Sequence, residues 1–185
     1  EAVTLAEFSG SAGPVPGSGS NTTLIQCRDG QFYGTTSFDL QDRFFMMTPG
    51  GEFRTLYEFP ESVFVGGGLV QGRDGDFYGT TMNGGEAGNS TIFRISPTGS
   101  FNQVAGFPGN VAPETTLVEG PDGNFYGTSE SGGIHDAGTI FKVTPEGTIT
   151  TLFEFGSLRE EAFGPYTLMQ NLDGSFYGTT ALGGE

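Results

Sequence analysis

One seven-residue motif, Asp-Gly-x-Phe-Tyr-Gly-Thr, occurs four times in this chain and constrains its fold more than any other feature. The copies begin at Asp29-Gly30, Asp74-Gly75, Asp122-Gly123 and Asp173-Gly174, which are 45, 48 and 51 residues apart. A spacing of this length indicates a repeat architecture. Asp-Gly between apolar segments is typical of a hairpin, and we expect both residues to adopt the positive φ of a type I′ turn. We expect the Gly after Phe-Tyr to lie against a neighbouring backbone.

Each repeat unit is predicted to contain four short strands, because apolar and polar residues alternate around the motif. In the first unit these strands are residues 24–27, 32–36, 44–48 and 53–59. A Pro-x-Gly turn joins the third strand to the fourth, with Pro fixing φ and Gly supplying the positive φ that closes the turn. The second-to-third connection varies most, since Asp39-Leu40-Gln41-Asp42 replaces the longer loops of the second and third units.

The repeat units define the predicted domain organisation. Residues 1–8 match a fourth strand, 9–21 form a Gly-, Ser- and Pro-rich connection, and the units are 22–59, 60–107, 108–155 and an incomplete 156–185. Four antiparallel strands per unit predict an all-β fold, a β-propeller or propeller-like array whose last blade is incomplete. Since the chain opens on Glu1 and stops within a unit, we expect it to be processed or part of a longer protein.

The unmatched first strand leaves two arrangements open. It could close the chain's own ring, or it could complete the open blade of another copy, because an unpaired sheet edge accepts a strand. The second arrangement joins copies head to tail and gives a ring or a filament. We therefore expect copies of the chain itself to be its main partner.

Charge and cysteine content exclude several classes of partner. The chain has 22 acidic and 7 basic residues, a formal net charge of -15, which disfavours nucleic acid and anionic membrane surfaces. No apolar run approaches the ~20 residues that span a bilayer, and no signal peptide opens the sequence. Cys27 is the only cysteine, so no disulfide framework exists, and we expect it to be a small half-buried residue.

The sequence offers no set of residues that we would assign to catalysis. The only histidine, His135, lies in the loop 132–138, where we expect it to be solvated. Carboxylate pairs could come from Glu130 with Asp136, or from Glu160 with Glu161, but no pattern places either pair across a cleft. We therefore expect a protein that is not an enzyme.

Metal and cofactor sites are also not expected. Asp39 with Asp42, or Glu86 with Asn89, supplies at most part of a calcium ligand set, and one Cys with one His is too few for zinc. Turn geometry accounts for the repeated aspartates. The tyrosine of each motif is predicted to be a core or inter-blade packing residue instead of one that stacks on a sugar; these residues are Tyr33, Tyr78, Tyr126 and Tyr177.

Two sequons make Asn21 and Asn89 candidate glycosylation sites, both in predicted loops. Carbohydrate could also be a ligand. A propeller lectin that binds polysaccharide through loops 84–89 and 132–138 is the alternative to a structural protein.

The second unit carries the resemblance to a known family. Leu69 to Thr81, then Gly84-Gly85, then Ile92 to Pro97 resemble the GloVer tandem repeat of bacterial secreted and surface proteins that carry interchangeable anchoring tails. The resemblance covers the chain except residues 9–21, although the first copy lacks the Gly-Gly pair and the fourth is truncated. It implies an extracellular or cell-surface protein and transfers no catalytic residue. With the unmatched first strand, it leads us to expect a subunit of a surface fibre or layer.

Overall fold

The structure, a computed structural model, describes residues 24–38, 41–109, 111–113, 115–156 and 163–182. These residues form fourteen strands in four sheets, which we call blades. Blade 1 comprises β1 (Ile25–Gln26), β2 (Phe32–Phe38), β3 (Gln41–Met47) and β4 (Phe53–Glu58). Blade 2 comprises β5 (Val70–Gln71), β6 (Phe77–Thr81), β7 (Thr91–Ile95) and β8 (Phe101–Gly106). Blade 3 comprises β9 (Val118–Glu119), β10 (Phe125–Ser129), β11 (Thr139–Val143) and β12 (Ile149–Glu154), and blade 4 comprises β13 (Phe163–Gln170) and β14 (Phe176–Leu182).

Blades 1 to 3 are antiparallel meanders in which each strand pairs with the next along the chain. The predicted four-stranded repeat unit is therefore confirmed, and blade 4 shows two strands among the residues that the structure describes. The predicted leading strand, residues 1–8, lies outside the described residues. Within the described part of the chain, the single helical segment is a 3-10 turn at Glu86–Gly88, and no helix there is long and apolar enough to span a membrane.

The Asp-Gly turns differ from the type I′ prediction, which was wrong. The Cys27 carbonyl accepts from Gly30 N–H at 2.9 Å, and Cys27 N–H donates to the Gln31 carbonyl, also at 2.9 Å. Only the glycine of each pair has positive φ, for example 80° at Gly30 and 90° at Gly75. The loop therefore has three residues, a type I turn followed by a glycine bulge. The aspartate keeps a negative φ, and its carboxylate accepts from the backbone N–H two residues later, as Asp29 does from Gln31 at 2.9 Å.

The Pro-x-Gly turns follow their prediction. Gly99 N–H donates to the Ser96 carbonyl at 2.9 Å with φ of 89° at the glycine, and Gly147 N–H donates to the Thr144 carbonyl with φ of 97°. In blade 1 the second-to-third connection is shorter than expected. Gln41 and Asp42 belong to β3 and not to the loop, because β2 and β3 pair as far as Phe38 and Gln41.

The core lies between adjacent blades, since each sheet packs its broad face against the next. The first core cluster joins blades 1 and 2 and includes Phe44, Phe59, Phe77 and Phe93, all with no measurable exposure. The second cluster joins blades 2 and 3; its largest members are Tyr78, Phe107, Leu117, Phe125 and Phe141. Every blade thus depends on its neighbour to bury its apolar face.

Cys27 belongs to the first cluster and is buried, with 8% of its surface exposed. It packs as a small apolar residue, as predicted, although it is more buried than expected. Burial, assisted by the charge of Asp29, raises the pKa of its thiol to about 11.

The glycine after Phe-Tyr is required by a side chain, which corrects the expectation of a backbone contact in three of the four copies. A Cβ on Gly79 would lie 2.6 Å from the ring of Phe93, and one on Gly127 would lie 2.6 Å from the ring of Phe141. Gly34 faces Phe45 in the same way, at 2.9 Å. Gly178 alone meets backbone, the Thr167 carbonyl oxygen at 2.7 Å. The aromatic ring of the third strand therefore fills the space that a larger residue would occupy.

Candidate functional site

The repeated Tyr-Phe pairs form an aromatic stack that crosses every junction between described blades. The tyrosine of one blade packs on the phenylalanine that precedes the tyrosine of the next blade. The ring centroids are 4.6 Å apart for Tyr33–Phe77, 4.0 Å for Tyr78–Phe125 and 4.5 Å for Tyr126–Phe176. Such offset contacts contribute about 0.5–1.5 kcal/mol beyond the burial of the rings. The first three motif tyrosines thus pack between blades, as the sequence predicts, whereas Tyr177 of blade 4 is 56% exposed.

The aspartate of each of the first three motifs orients the tyrosine of its own motif. The Tyr33 hydroxyl donates to Asp29 Oδ2 at 3.0 Å, and the Tyr78 hydroxyl donates to Asp74 Oδ2 at 2.9 Å. Burial first, then this hydrogen bond and the negative charge, raise the pKa of Tyr33 to about 12 and move the pKa of Tyr78 in the same direction. The turn therefore also fixes the ring that contacts the next blade.

The threonine that ends the motif bonds to the next blade, at the segment before its first strand in blade 3 and at its first strand in blade 4. The Thr80 hydroxyl donates to the Pro113 carbonyl at 2.6 Å, and the Thr128 hydroxyl donates to the Pro165 carbonyl at 3.3 Å. Both threonines are 1% exposed or less. Because a buried carbonyl is costly when it lacks a donor, these hydroxyls stabilise the junction.

A bulge in the outer strand of each complete blade provides another contact with the following blade. The β3–β4, β7–β8 and β11–β12 registers each skip one residue, which places Leu56, Val104 and Leu152 in bulges. Gly99 of blade 2 lies against the Leu56 carbonyl, and Gly147 of blade 3 lies against the Val104 carbonyl. A Cβ on either glycine would be closer than 3.0 Å to that oxygen, which real Cβ atoms essentially never show. The Pro-x-Gly turn thus fits onto the bulge of the blade before it.

Among the residues that the structure describes, blade 4 makes only part of these contacts. Between blades 3 and 4 lies a mostly apolar space of about 400 Å³, the blade 4 groove. Its lining includes Tyr126, Ile140, Leu152, Phe155, Leu168 and Phe176. On the opposite side of the same sheet, Met169 and Tyr177 are cross-strand neighbours that are 63% and 56% exposed, and we call this the open face of blade 4. The equivalent tyrosines Tyr33 and Tyr78 are 4% and 2% exposed.

The candidate catalytic residues that the structure describes lie in or beside the loop 132–138. His135 is exposed, and Asp136 accepts from Gly132 N–H at 2.8 Å within the same loop. Backbone N–H of Glu130 donates to the Ala112 carbonyl. The other proposed pair, at positions 160 and 161, lies outside the described residues, as does the glycosylation candidate Asn21.

Neither partial calcium set becomes a cluster of three acidic ligands among the described residues. The buried Asp42 accepts from Val65 N–H at 2.6 Å, and the other member of its pair, at position 39, is not described. Asn89 follows the 3-10 turn, where its N–H donates to the Glu86 carbonyl, and it stays a predicted glycosylation site. Across the described ranges, no group of three or more His, Cys, Asp or Glu residues could hold a metal ion.

Sequence reasoning missed the bulge residues, although a signal for them exists. Leu56, Val104 and Leu152 each precede the closing phenylalanine of their unit by three residues, so aligning the units marks an apolar residue there. Its carbonyl contact with the next blade depends on two segments far apart in sequence. The repeat alone does not show which of its residues face another blade.

Consecutive antiparallel meanders that pack face to face, with the same Tyr-Phe contact at each junction, define a β-propeller-type protein, and solved structures agree. A protein of unknown function from Dyadobacter fermentans matches with a TM-score of 0.57 and 13% identity over 83% of this chain and 54% of that one. A gluconolactonase from Xanthomonas campestris matches with a TM-score of 0.56 and 13% identity over 89% of this chain and 56% of that one. TolB from Acinetobacter baumannii matches with a TM-score of 0.53 and 17% identity over 88% of this chain and 41% of that one. The chain thus spans little more than half the length of the first two, and at these identities the likeness concerns the fold alone.

The family follows from the sequence itself. The profile of the Gloeobacter/Verrucomicrobia repeat matches residues 20–185, so the chain belongs to that repeat family. This match confirms the resemblance to the GloVer repeat. A search of curated proteins gives no match.

Proposed function

We propose that this protein is a non-enzymatic structural protein of the bacterial cell surface, which assembles with other copies through its incomplete fourth blade. The observation that carries the proposal is the open face of blade 4. Tyr177 is 56% exposed, whereas its counterpart Tyr78 is 2% exposed because the next blade covers it. A surface with the chemistry of an internal junction is suited to bind another blade of the same kind.

The first blade offers a matching surface. At each internal junction, the tyrosine of one blade contacts the phenylalanine of the second strand of the following blade. Phe32 holds that position in blade 1 and is half-buried, whereas Phe77 and Phe125 are 0% and 2% exposed. Contact between Tyr177 of one copy and Phe32 of the next would repeat the internal junction. Such a contact is head to tail and propagates into a filament or closes into a ring.

An unpaired sheet edge supports the same proposal. No further described strand pairs with β14 on the side away from β13. Exposed edges of this kind pair with other strands unless they are covered or charged. The proposed surface location rests on the repeat family and is a separate part of the proposal.

Binding of polysaccharide is the second candidate and has less support. Loops 84–89 and 132–138 carry no Phe, Tyr or Trp, the side chains that most often stack on a sugar. The buried motif tyrosines pack against phenylalanine instead. A glycan array on the whole chain, repeated after both loops are shortened, tests this alternative.

Sedimentation velocity over a concentration series tests the assembly. We expect the sedimentation coefficient to rise with concentration, and we expect Tyr177→Lys to keep the chain monomeric, because a charge would be buried in the contact. Leu172→Lys is the matched control, since Leu172 is fully exposed at a turn of the same blade. Monomers alone at tens of micromolar, or equal effects of the two lysines, would refute the assembly. Antibody labelling of intact cells that carry the protein tests the location.

A further inference from the structure

The Asp-Gly turns of blades 2 and 3 are linked by an arginine. Arg73 N–H donates to Glu119 Oε2 at 3.0 Å, and Arg73 Nη1 donates to the Pro121 carbonyl at 3.3 Å. Both bonds cross from one blade to the next, because Glu119 belongs to β9 and Pro121 to the turn that follows it. A carboxylate of blade 3 therefore binds the backbone of the blade 2 turn.

The equivalent residues of blades 1 and 2 do not form this link. Arg28 takes the position of Arg73, and Gln71 takes that of Glu119, as counted back from the aspartate of each motif. An amide is a donor as well as an acceptor, and Gln71 Nε2 donates to the Gly75 carbonyl of its own turn at 3.0 Å. In the part of the chain that the structure describes, no residue accepts from Arg28 N–H. The N–H that a carboxylate binds in one junction is thus available to a ligand in the other.

A space of about 420 Å³ lies between the turns of blades 1 and 2, and we call it the turn cleft. Its lining includes Arg28, Arg73, Asp29, Gln71 and Pro97. Two guanidinium groups and one carboxylate give this lining a net positive charge, although the chain as a whole has a formal net charge of -15. A volume of this size is within the range of small-molecule sites, and the local charge favours an anionic group.

The charged groups of the turn cleft differ in how firmly they are held. The Arg73 guanidinium is fixed at the side of the cleft by its bond to a carbonyl of blade 3. Arg28 is exposed, so its guanidinium can turn toward a ligand. The Asp29 carboxylate already accepts from Gln31 N–H at 2.9 Å and from the Tyr33 hydroxyl at 3.0 Å. These two bonds offset part of the repulsion between Asp29 and an anion.

We propose that the turn cleft binds a small sugar acid, whose carboxylate takes the place that Glu119 has in the following junction. The carboxylate accepts from Arg28 N–H and from the guanidinium groups, and hydrogen bonds of this charge-assisted kind are the strong ones. The sugar hydroxyls donate to the Gln71 amide oxygen and to the Asp29 carboxylate. One C–H face of the sugar ring lies on Pro97.

This inference goes beyond the proposed function. The turn cleft joins blades 1 and 2 and includes neither Tyr177 nor Phe32, the two residues that the assembly brings together. It also differs from the polysaccharide alternative. In an antiparallel meander, the turn between the first and second strands and the loop between the second and third lie at opposite ends of the blade, so loops 84–89 and 132–138 are remote from the cleft.

Two-dimensional amide NMR spectra of the whole 185-residue chain, recorded during a titration with D-galacturonate, test the site. We expect saturable shifts of the Arg28 and Gly72 amide signals. D-galactose has the same ring without the carboxylate, and acetate has a carboxylate without the ring. We expect each of them to bind at least ten-fold more weakly than D-galacturonate.

Gln71→Glu is the most informative variant, because it gives the junction of blades 1 and 2 the carboxylate that the following junction has. We expect this carboxylate to bind Arg28 N–H and to abolish the saturable shifts. Arg28→Gln is expected to weaken binding at least five-fold. Arg54→Gln removes the same charge from an exposed position of β4 outside the cleft, and it is the control that should bind unchanged. Circular dichroism checks that all three variants fold.

Four results would overturn the proposal: no saturable shift at Arg28, equal affinity for D-galactose or acetate, unchanged binding by Gln71→Glu, or equal losses in Arg28→Gln and Arg54→Gln. The last of these would show a response to overall charge and not to a site. The test is separate from that of the assembly, because Tyr177→Lys is expected to prevent self-association and to leave the binding of D-galacturonate intact.

Discussion

Two glycines of blade 2 allow the contribution of a blade junction to stability to be measured directly. Gly75 and Gly99 have nearly equal backbone angles, with φ of 90° and 89°. A Cβ added at Gly75 meets no heavy atom within 4 Å, whereas one added at Gly99 comes closer than 3.0 Å to the Leu56 carbonyl oxygen of blade 1. The two Gly→Ala substitutions therefore share the cost of a positive φ and differ in the contact with the neighbouring blade.

The expected losses follow from those two costs. An alanine at positive φ loses about 1–2 kcal/mol, so we expect Gly75→Ala to lower the free energy of unfolding by that amount. Gly99→Ala must also push the turn away from the Leu56 carbonyl, and forcing extra volume into a packed contact costs about 1–3 kcal/mol. We therefore expect Gly99→Ala to lose about 2–5 kcal/mol. For a domain of this size, each kcal/mol of lost stability lowers Tm by about 2–4 °C.

Urea unfolding of the parent chain and both variants, followed by circular dichroism, gives the comparison. The midpoints should fall in the order parent, Gly75→Ala, Gly99→Ala, with similar slopes if the unfolded states are alike. Equal losses in the two variants would refute the argument, because the turn would then be strained only by its own backbone angles. A smaller loss at Gly99 would show that the turn of blade 2 does not bear on the bulge of blade 1.

Other consequences of the junctions can be tested in the same way. Tyr78→Phe keeps the ring stack and loses the hydroxyl hydrogen bond to Asp74, so it should lower the free energy of unfolding in urea by about 1–2 kcal/mol. Tyr177→Phe, at an exposed tyrosine, is the neutral control, and equal losses in the two variants would contradict this. The folded protein raises the pKa of Tyr33 from 10.0 to about 12, so it holds the proton more tightly than the unfolded chain. That stability is complete below pH 10 and is lost as the pH rises to about 12, which alkaline unfolding would show as a falling midpoint; a midpoint constant to pH 12 would contradict it. The Cys27 thiol, with its pKa raised from 9.0 to about 11, should react with a thiol reagent at pH 8 roughly 100-fold more slowly than in urea, and reaction at the unfolded rate would show that it is accessible.

The strands could be predicted from the sequence because the same alternation of apolar and polar residues recurs in each unit. Alternation around Phe32 and Phe44 indicates strands, and Pro49 with Gly51 marks the turn between the third and fourth. The Asp-Gly turn type could not be predicted from the dipeptide, because Asp-Gly suits a two-residue and a three-residue loop alike. The hydrogen bonds of Asp29 with Gln31 and Tyr33 belong to the longer loop, and these depend on residues outside the dipeptide.

The candidate site was less predictable than the fold. The motif tyrosines could be assigned to packing because they recur, yet nothing in one unit shows that Tyr78 meets Phe125 of the next. The exposure of Leu152, Phe153 and Phe155 depends on what the following blade contributes, which is a property of the array. Periodicity therefore gives the strands and their order, while contacts between distant segments decide which surfaces are left open.

The aromatic stack has a consequence for how such proteins can change in length. Because each junction uses the same kinds of residues as the one before, a duplicated unit inserted between blades 2 and 3 would meet matching neighbours on both sides. Growth by duplication then requires no new complementarity, and natural variants with more or fewer units should keep the Tyr-Phe order. A substitution at one junction would be felt mainly by the two blades that share it, so damage would stay local in an array of nearest-neighbour contacts.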